Sequence, residues 1–328
     1  MKESLVLESP AKVNLRLEIL RKREDGYHEL KTIFQKISLH DTLHFSLRKG
    51  RGISITTDHP GLPVGRTNLI YRAAQSILKR SDYKGGVAVE IEKRIPLGAG
   101  LGGGSSNAAT TLKALNQLLG MNLSRKELME IGLEIGADVP FFFLKGAALG
   151  SGVGERLKKI EAPDLWVVLI YPNFEVSTRW AYQNFDKRVS ASTPSPSTAL
   201  GALSHSALSS WPKGLSKGKL QPLTRKAKGL TNQQFHINLD KFLKTPKRVS
   251  QILFNHLETV VSKEYPQIDV MKKMLFSAGA MGALMTGSGP TVFGLFWEER
   301  TAAKAYEEIK RLVSRRGWAV FKAHSTAT

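Results

Sequence analysis

The eleven residues Pro96-Leu-Gly-Ala-Gly-Leu-Gly-Gly-Gly-Ser-Ser106 carry their chemistry in the backbone, since six of them have no side chain or a single methyl group. They run into Asn107-Ala-Ala-Thr-Thr-Leu-Lys-Ala-Leu-Asn-Gln-Leu-Leu119. There Ala108, Leu112, Leu115 and Leu119 recur at helical spacing and Gly120 supplies a stop. A glycine loop that feeds a helix presents clustered N–H groups and the positive end of the helix dipole, with no Cβ in the way. That combination suits a phosphate group. Three further places have side chains or turns of chemical interest. In Ser9-Pro-Ala-Lys-Val-Asn14, Lys12 puts a cation where a strand starts, or is simply an exposed lysine at a strand edge. In Gly136-Ala-Asp-Val-Pro140, Asp138 is either a catalytic carboxylate or the N-cap of a short helix. Gly287-Ser-Gly289 makes a second tight bend.

The loop has several possible owners. Gly98, Gly100 and Gly103 satisfy a bare G-x-G-x-x-G, but a dinucleotide fold also needs an acidic residue about 20 positions on. No Asp or Glu occurs between Glu92 and Glu127. A P-loop needs Lys-Ser or Lys-Thr after its last glycine, and this loop has Ser-Ser-Asn. A turn that only permits close helix packing stays open, although four glycines among residues 100 to 104 are costly in entropy for a mere turn. What remains is a phosphate cradle of another family.

The surrounding elements are strands and helices in mixed order. Residues 12–19, 43–47, 53–56 and 87–91 alternate apolar and polar side chains, as strands with one buried face do. Helices are predicted over 68–79, from a Ser124–Glu127 capping box to Gly136, over 249–262, 268–278 and 301–314. The apolar runs 165–171 and 291–296 read as further strands, and the last helix precedes Trp318-Ala-Val-Phe321. Such mixing predicts an α+β fold over a doubly wound sheet.

At 328 residues the chain has room for one large or two medium domains, and 41% hydrophobic content is that of a soluble globular protein. The absence of cysteine excludes disulfides, thiolate metal sites and cysteine nucleophiles. The first residues hold no apolar run of signal-peptide length, and the run 165–171 is too short to span a bilayer, so a cytoplasmic location is expected. The formal charge of +20 is unevenly spread. Residues 186–248 hold twelve Lys/Arg against two Asp in a Ser-rich and Gly-rich composition. Half the excess charge therefore lies in an insertion, where a solvated surface is favoured over a nucleic-acid contact.

Taken in order, the motifs resemble the GHMP kinases, the galactokinase, homoserine, mevalonate and phosphomevalonate kinase family. P-x-G-x-G-L-G-G-G-S-S followed by Ala-Ala is similar to the ATP-binding loop of that family. Pro10-Ala-Lys-Val-Asn-Leu15, Asp25-Gly-Tyr-His-Glu-Leu30, Gly136-Ala-Asp-Val-Pro140, Val176-Ser-Thr-Arg-Trp-Ala-Tyr182 and Thr286-Gly-Ser-Gly289 narrow the resemblance to the branch acting on 4-diphosphocytidyl-2-C-methyl-D-erythritol. The motifs span residues 9 to 296, and only the basic segment of about 187–248 departs from the pattern.

The resemblance implies an α+β fold of two domains, a ribosomal-protein-like N-terminal one over 1–160 and a ferredoxin-like C-terminal one over 161–328. It implies ATP-dependent phosphorylation of an acceptor hydroxyl, giving the 2-phosphate in the non-mevalonate route to isoprenoids. Another small-molecule kinase of the family (mevalonate or homoserine type) is the alternative, with a basic nucleic-acid-binding protein behind it. ATP is assigned to Pro96, Leu97, Gly98, Ala99, Gly100, Leu101, Gly102, Gly103, Gly104, Ser105 and Ser106, the two serines as hydroxyl donors. Asp138 is assigned as the base, with Lys12 orienting it and offsetting phosphoryl charge. Tyr27 and Tyr182 are assigned to sandwich the cytosine and His28 to bond its edge, while Asn14 and Thr178 complete the acceptor pocket. Mg2+ is expected with ATP, although no compact Asp/Glu cluster marks its ligands and Asn107 stands where some relatives carry Asp. A small-molecule substrate is the expected partner, with no membrane, and the chain is expected to be a monomer or homodimer.

Overall fold

The computed structural model describes residues 3–192 and 249–326, so the basic insertion from 193 to 248 lies outside the described residues. Two long strands, β1 (Ser4–Lys22) and β2 (His28–Arg48), form an antiparallel hairpin whose turn contains Asp25, Gly26 and Tyr27. The pairing slips between Pro10 and Lys12 and again between Asn14 and Arg16. Side chains two apart on a strand share a face, so Lys12 and Asn14 project together. β3 (Gly52–Thr57) and β4 (Gly86–Glu92) extend the sheet in the order β3-β4-β2-β1. β5 (Ala147–Gly152) also pairs with β2, and β6 (Arg156–Ile160) with β5. The four predicted N-terminal strand segments all fall within strands. β5 escapes prediction because Ala-Ala-Leu-Gly-Ser-Gly lacks the β-branched and aromatic residues that mark a strand.

Three helices cover one face of this sheet. α1 (Leu69–Lys79) is capped by Asn68, whose side chain accepts from the Ile70 N–H. α3 (Arg125–Ile135) opens with the predicted Ser124–Glu127 capping box. α2 (Gly103–Leu118) starts four residues before the expected Asn107, inside the glycine stretch, after Gly102 in a left-handed conformation. The helix begins there although glycine is a poor helix former, and a Cβ on Gly103 would lie 3.0 Å from the Ile95 side chain. Leu43, Phe45, Val87 and Val89 from the sheet meet Ile70, Ile77, Leu112 and Leu115 in a single apolar core.

A four-stranded sheet follows in the order β11-β7-β10-β9, from β7 (Trp166–Tyr171), β9 (Gly282–Met285), β10 (Val292–Phe296) and β11 (Ala319–His324). All its pairings are antiparallel. α4 (Thr178–Ser192), α5 (Glu258–Glu264), α6 (Gln267–Ser277) and α7 (Glu299–Val313) accompany it. The strands alternate: Val168, Ile170 and Val292 pack with the helices, while Val167, Leu169 and Phe293 pack against Val13, Leu15 and Ile33 of the first hairpin. Ala99 and Leu101 of the glycine loop are buried in that second cluster, so the loop is held between the two sheets.

The helix predicted over 249–262 is corrected. Ser250–Ile252 is a 3-10 turn, β8 (Phe254–Asn255) pairs in parallel with Arg16 and Leu17, and helix begins only at Glu258. Asn255 explains the break. Its amide donates to the Met285 and Gly287 carbonyls and accepts from Leu257 N–H, bonds that an uninterrupted helix would forfeit.

Buried Lys36 and half-buried Lys113 hold the far end of the 3-10 turn Val139–Phe143. Lys36 Nζ donates to the Phe142 carbonyl at 3.1 Å and to that of Leu144, and Lys113 Nζ donates to Phe142 at 2.7 Å. Burial lowers the Lys36 pKa to about 7, with the charge of Lys113 adding to the effect, and lowers Lys113 to about 8. Between the folded value and the ordinary 10.5, the unfolded chain binds more protons at Lys36 than the folded protein does. The penalty for burying Lys36 is therefore full below about pH 7 and is relieved as pH rises. Urea titrations of wild type and Lys36→Met should show the stability difference moving in favour of wild type from pH 7 to pH 9, by up to about 1.4 kcal/mol per pH unit. A difference that stays constant over that window would contradict the assignment.

Candidate active site

Lys12 is 4% exposed, and three acceptors surround its ammonium. Nζ donates to Asn14 Oδ1 at 2.6 Å and to the Gly100 carbonyl at 3.0 Å, and lies 3.8 Å from Asp138 Oδ2. Desolvation lowers its pKa from the ordinary lysine value, while the Asp138 charge opposes the shift. Two N–H donors of the ammonium are used by Asn14 and Gly100, and its charge faces the Asp138 carboxylate at ion-pair distance rather than through a hydrogen bond.

The glycine loop is shaped by what lies against it. Gly100 has φ +76°, and a Cβ there would sit 2.4 Å from the Thr286 carbonyl oxygen. At Gly102, φ +71°, a Cβ would meet the Lys12 side chain at 3.1 Å. The Lys12 N–H donates to the Leu101 carbonyl, so strand β1 and the loop are joined through backbone as well as side chain. Ser106 N–H is already bonded to the Gly102 carbonyl, which leaves the N–H groups of residues 103 to 105 as the unpaired first turn of α2. Gly98, Gly100, Gly102 and Ser105 line an adjoining cavity of about 840 Å³.

Ser106 is corrected as a hydroxyl donor to a ligand. It is fully buried and its oxygen accepts from the Ser9 hydroxyl. Asn107 donates to Ser9 Oγ and to Asp41 Oδ2, so it too faces the protein. Asp41 itself is fully buried and pairs with Lys93 at 2.8 Å. It accepts in addition from the Arg94 and Ile95 N–H groups. One carboxylate thus ties the start of the loop, at Ile95, to its end, at Asn107. Sequence reasoning missed this pair, since nothing local links Asp41 to residues more than fifty positions away.

Asp138 precedes the 3-10 turn Val139–Phe143 but makes no capping bond with its side chain. The N-cap alternative is thereby set aside. Its side chain is 36% exposed, lines the cavity and faces Lys12. Asn14, beside it, also donates to Thr32 Oγ1, and its N–H donates to Thr286 Oγ1. Thr178, at the start of α4, shares a 2.8 Å hydrogen bond with Ser288 of the Gly-Ser-Gly turn. All the expected pieces, Lys12, Asn14, Thr178 and Asp138 with the two glycine turns, therefore meet around one cavity.

The far wall carries Tyr27, His28 and Tyr182. Tyr27 is 65% exposed on the hairpin turn. His28 stacks on Tyr182, with ring centroids 4.8 Å apart and planes 28° from parallel. The structure places these two rings in contact, while the expectation set the two tyrosines on either face of the cytosine with His28 at its edge. Burial raises the Tyr182 pKa, and the negative Asp138 adds to it, so the phenol keeps its proton. Asp186, one turn further along α4, accepts from Lys22 and contacts His28. It was not singled out from the sequence.

The family GHMP kinases N terminal domain matches residues 68–146, and GHMP kinases C terminal matches residues 238–315. The 4-diphosphocytidyl-2-C-methyl-D-erythritol kinase of Citrifermentans bemidjiense is 42% identical over 317 residues, which are 96% of this chain and 97% of that one. The enzyme of the same name from Syntrophus aciditrophicus is 42% identical over 323 residues, 98% of this chain and 99% of its own. A crystal structure of 4-(cytidine 5'-diphospho)-2C-methyl-D-erythritol kinase superposes with a TM-score of 0.71 at 30% identity, covering 99% of this chain and all of that one.

The loop geometry makes a direct prediction. Gly120 also has positive φ, +63°, but a Cβ there meets nothing within 4 Å. Gly120→Ala should cost about 1–2 kcal/mol, the strain of a left-handed alanine alone. Gly100→Ala must add a backbone clash to that strain and should cost clearly more by chemical denaturation. Equal losses at the two positions would show that the loop is not clamped against Thr286.

Proposed function

We propose, for a chain that belongs to the GHMP kinases and within them to the 4-diphosphocytidyl-2-C-methyl-D-erythritol kinases, that Lys12 and Asp138 carry the transfer of the γ-phosphoryl group of ATP to the acceptor's 2-hydroxyl. The observation that carries this reading is the meeting of a buried ammonium, an open carboxylate and a helix-capped glycine loop on one cavity. The chain is an ATP-dependent small-molecule kinase of isoprenoid biosynthesis, and its fold is the α+β fold of that family.

Phosphoryl transfer asks mainly for position and charge, because little covalent chemistry falls to the protein. The N–H groups at the start of α2 receive the phosphates, and the Ser105 hydroxyl adds a donor. Lys12 stands beside both the loop and Asp138, where it offsets charge on the moving phosphoryl group. Asp138 accepts the acceptor's hydroxyl proton and orients its oxygen for in-line attack. Asn14 holds Lys12 in place, and Thr178 and Ser288 close the cavity from the second sheet's side. Tyr27, His28 and Tyr182 receive the cytidine end.

Mg2+ would accompany the triphosphate and would supply charge neutralisation. Among the described residues there is no group of three His, Asp or Glu side chains that could hold it. Of the groups at the loop, the Ser105 hydroxyl would be able to ligate the ion, while the backbone N–H groups would bind only the phosphates. No helix among the described residues is long and apolar enough to cross a membrane. We place the enzyme in the cytoplasm as a monomer or homodimer, with its N-terminal domain ending near residue 160.

The test is ADP release with 4-diphosphocytidyl-2-C-methyl-D-erythritol, mevalonate or homoserine as acceptor. Only the cytidyl compound should support turnover, and turnover with mevalonate alone would overturn the reading. Asp138→Asn should lower kcat by about a hundredfold or more while ATP affinity stays within about twofold. Near-wild-type turnover of that variant would exclude Asp138 as the base.

A further inference from the structure

His28 begins β2 and is 9% exposed, with its ring stacked on Tyr182. Its Nε2 lies 2.7 Å from Asp186 Oδ1. Tyr182 and Asp186 are four residues apart on α4, so one helix face offers both the stacking ring and the carboxylate. A carboxylate can only accept, and the contact is therefore a hydrogen bond only when Nε2 carries the proton. In the neutral ring Nδ1 is then a bare lone pair, and among the described residues it has no other partner. Lys22 Nζ holds the second carboxylate oxygen at 2.7 Å. Burial works against the charge on Asp186, yet the bonds from Lys22 and His28 outweigh it and keep the carboxyl below its ordinary range.

We propose that Asp186 is a positioning residue for nucleobase choice: by fixing the Nε2–H form of His28 it presents an acceptor at Nδ1, which suits a base bearing an exocyclic amino group and opposes one bearing a carbonyl there. The inference rests on the reading that this end of the cavity receives the cytidine. Cytosine and uracil differ in donor pattern at that edge, since the 4-amino group donates and the 4-carbonyl only accepts. Two acceptors facing each other in a desolvated site leave both unpaired, which sets a discrimination of roughly ten- to a hundredfold.

The experiment compares kcat/KM for the cytidyl acceptor and its uridyl counterpart in wild type, Asp186→Ala and Asp186→Asn. Nitrogen NMR of histidine-labelled full-length protein reads the His28 tautomer in each. Wild type should show the Nε2–H form and prefer the cytidyl acceptor. Asp186→Ala should lose the single tautomer and at least about tenfold of the preference. Asp186→Asn, which keeps the side chain's size, can accept from Nε2–H or donate to Nε2, and its preference should follow whichever tautomer NMR reports. An Nδ1–H form in wild type would overturn the inference. So would an alanine variant that keeps the preference within about twofold, or a preference in the asparagine variant that ignores the tautomer. Failure of wild type to turn over the cytidyl acceptor at all would instead refute the functional reading, and the NMR tautomer would still be legible.

Discussion

A buried ammonium must be surrounded, and the need to surround Lys12 organises the centre of this protein. Removing a charge from water costs several kcal/mol unless acceptors replace its hydration. Here the acceptors come from distant parts of the chain: Asn14 on the same strand, the Gly100 carbonyl from the glycine loop, and the Asp138 carboxylate. The Gly-Ser-Gly turn closes the set, since a Cβ on Gly287 would lie 3.4 Å from Nζ. Left-handed glycines flank this point because the loop must pass close to both Lys12 and Thr286. The arrangement that satisfies the cation also sets it beside the carboxylate and the start of α2.

A second buried charge holds the loop by its ends. Asp41 accepts from Lys93, from two N–H groups at the start of the loop and from Asn107 at its end. Because the Asp41–Lys93 pair is desolvated and fully bonded, losing one partner would leave the other uncompensated. Ala99 and Leu101 add apolar anchors between the two sheets. A loop so rich in glycine would otherwise be the most mobile part of the fold. Pinned in this way, the loop is fixed by the protein itself, and under the proposed function its N–H groups would meet the phosphates without reorganisation.

Local signals carried far in this sequence. The capping box at Ser124, the helix that follows Asn68 and the strand alternations were all legible because each is decided within a few residues. The family resemblance joined Lys12 and Asp138 in one expected site, which spacing alone left open between structural and catalytic roles. What stayed hidden depends on partners far along the chain. The predicted helix over 249–262 yields to Asn255, whose amide bonds lie thirty residues away. Ser106 was misread as facing a ligand because its partner, Ser9, approaches from a strand 97 residues earlier. Asp41, Lys93 and Asp186 carry no motif, and only the folded arrangement gives them a role.

The central claim is that Lys12 and Asp138 act as one unit in moving the phosphoryl group. Single-turnover phosphoryl transfer to the cytidyl acceptor, measured for Lys12→Ala, Asp138→Asn and the double variant with ATP saturating, tests it most directly. The account predicts two severe single losses and a double variant little worse than either, because each change disables the same constellation. Losses that multiply, as for two independent sites, would contradict it.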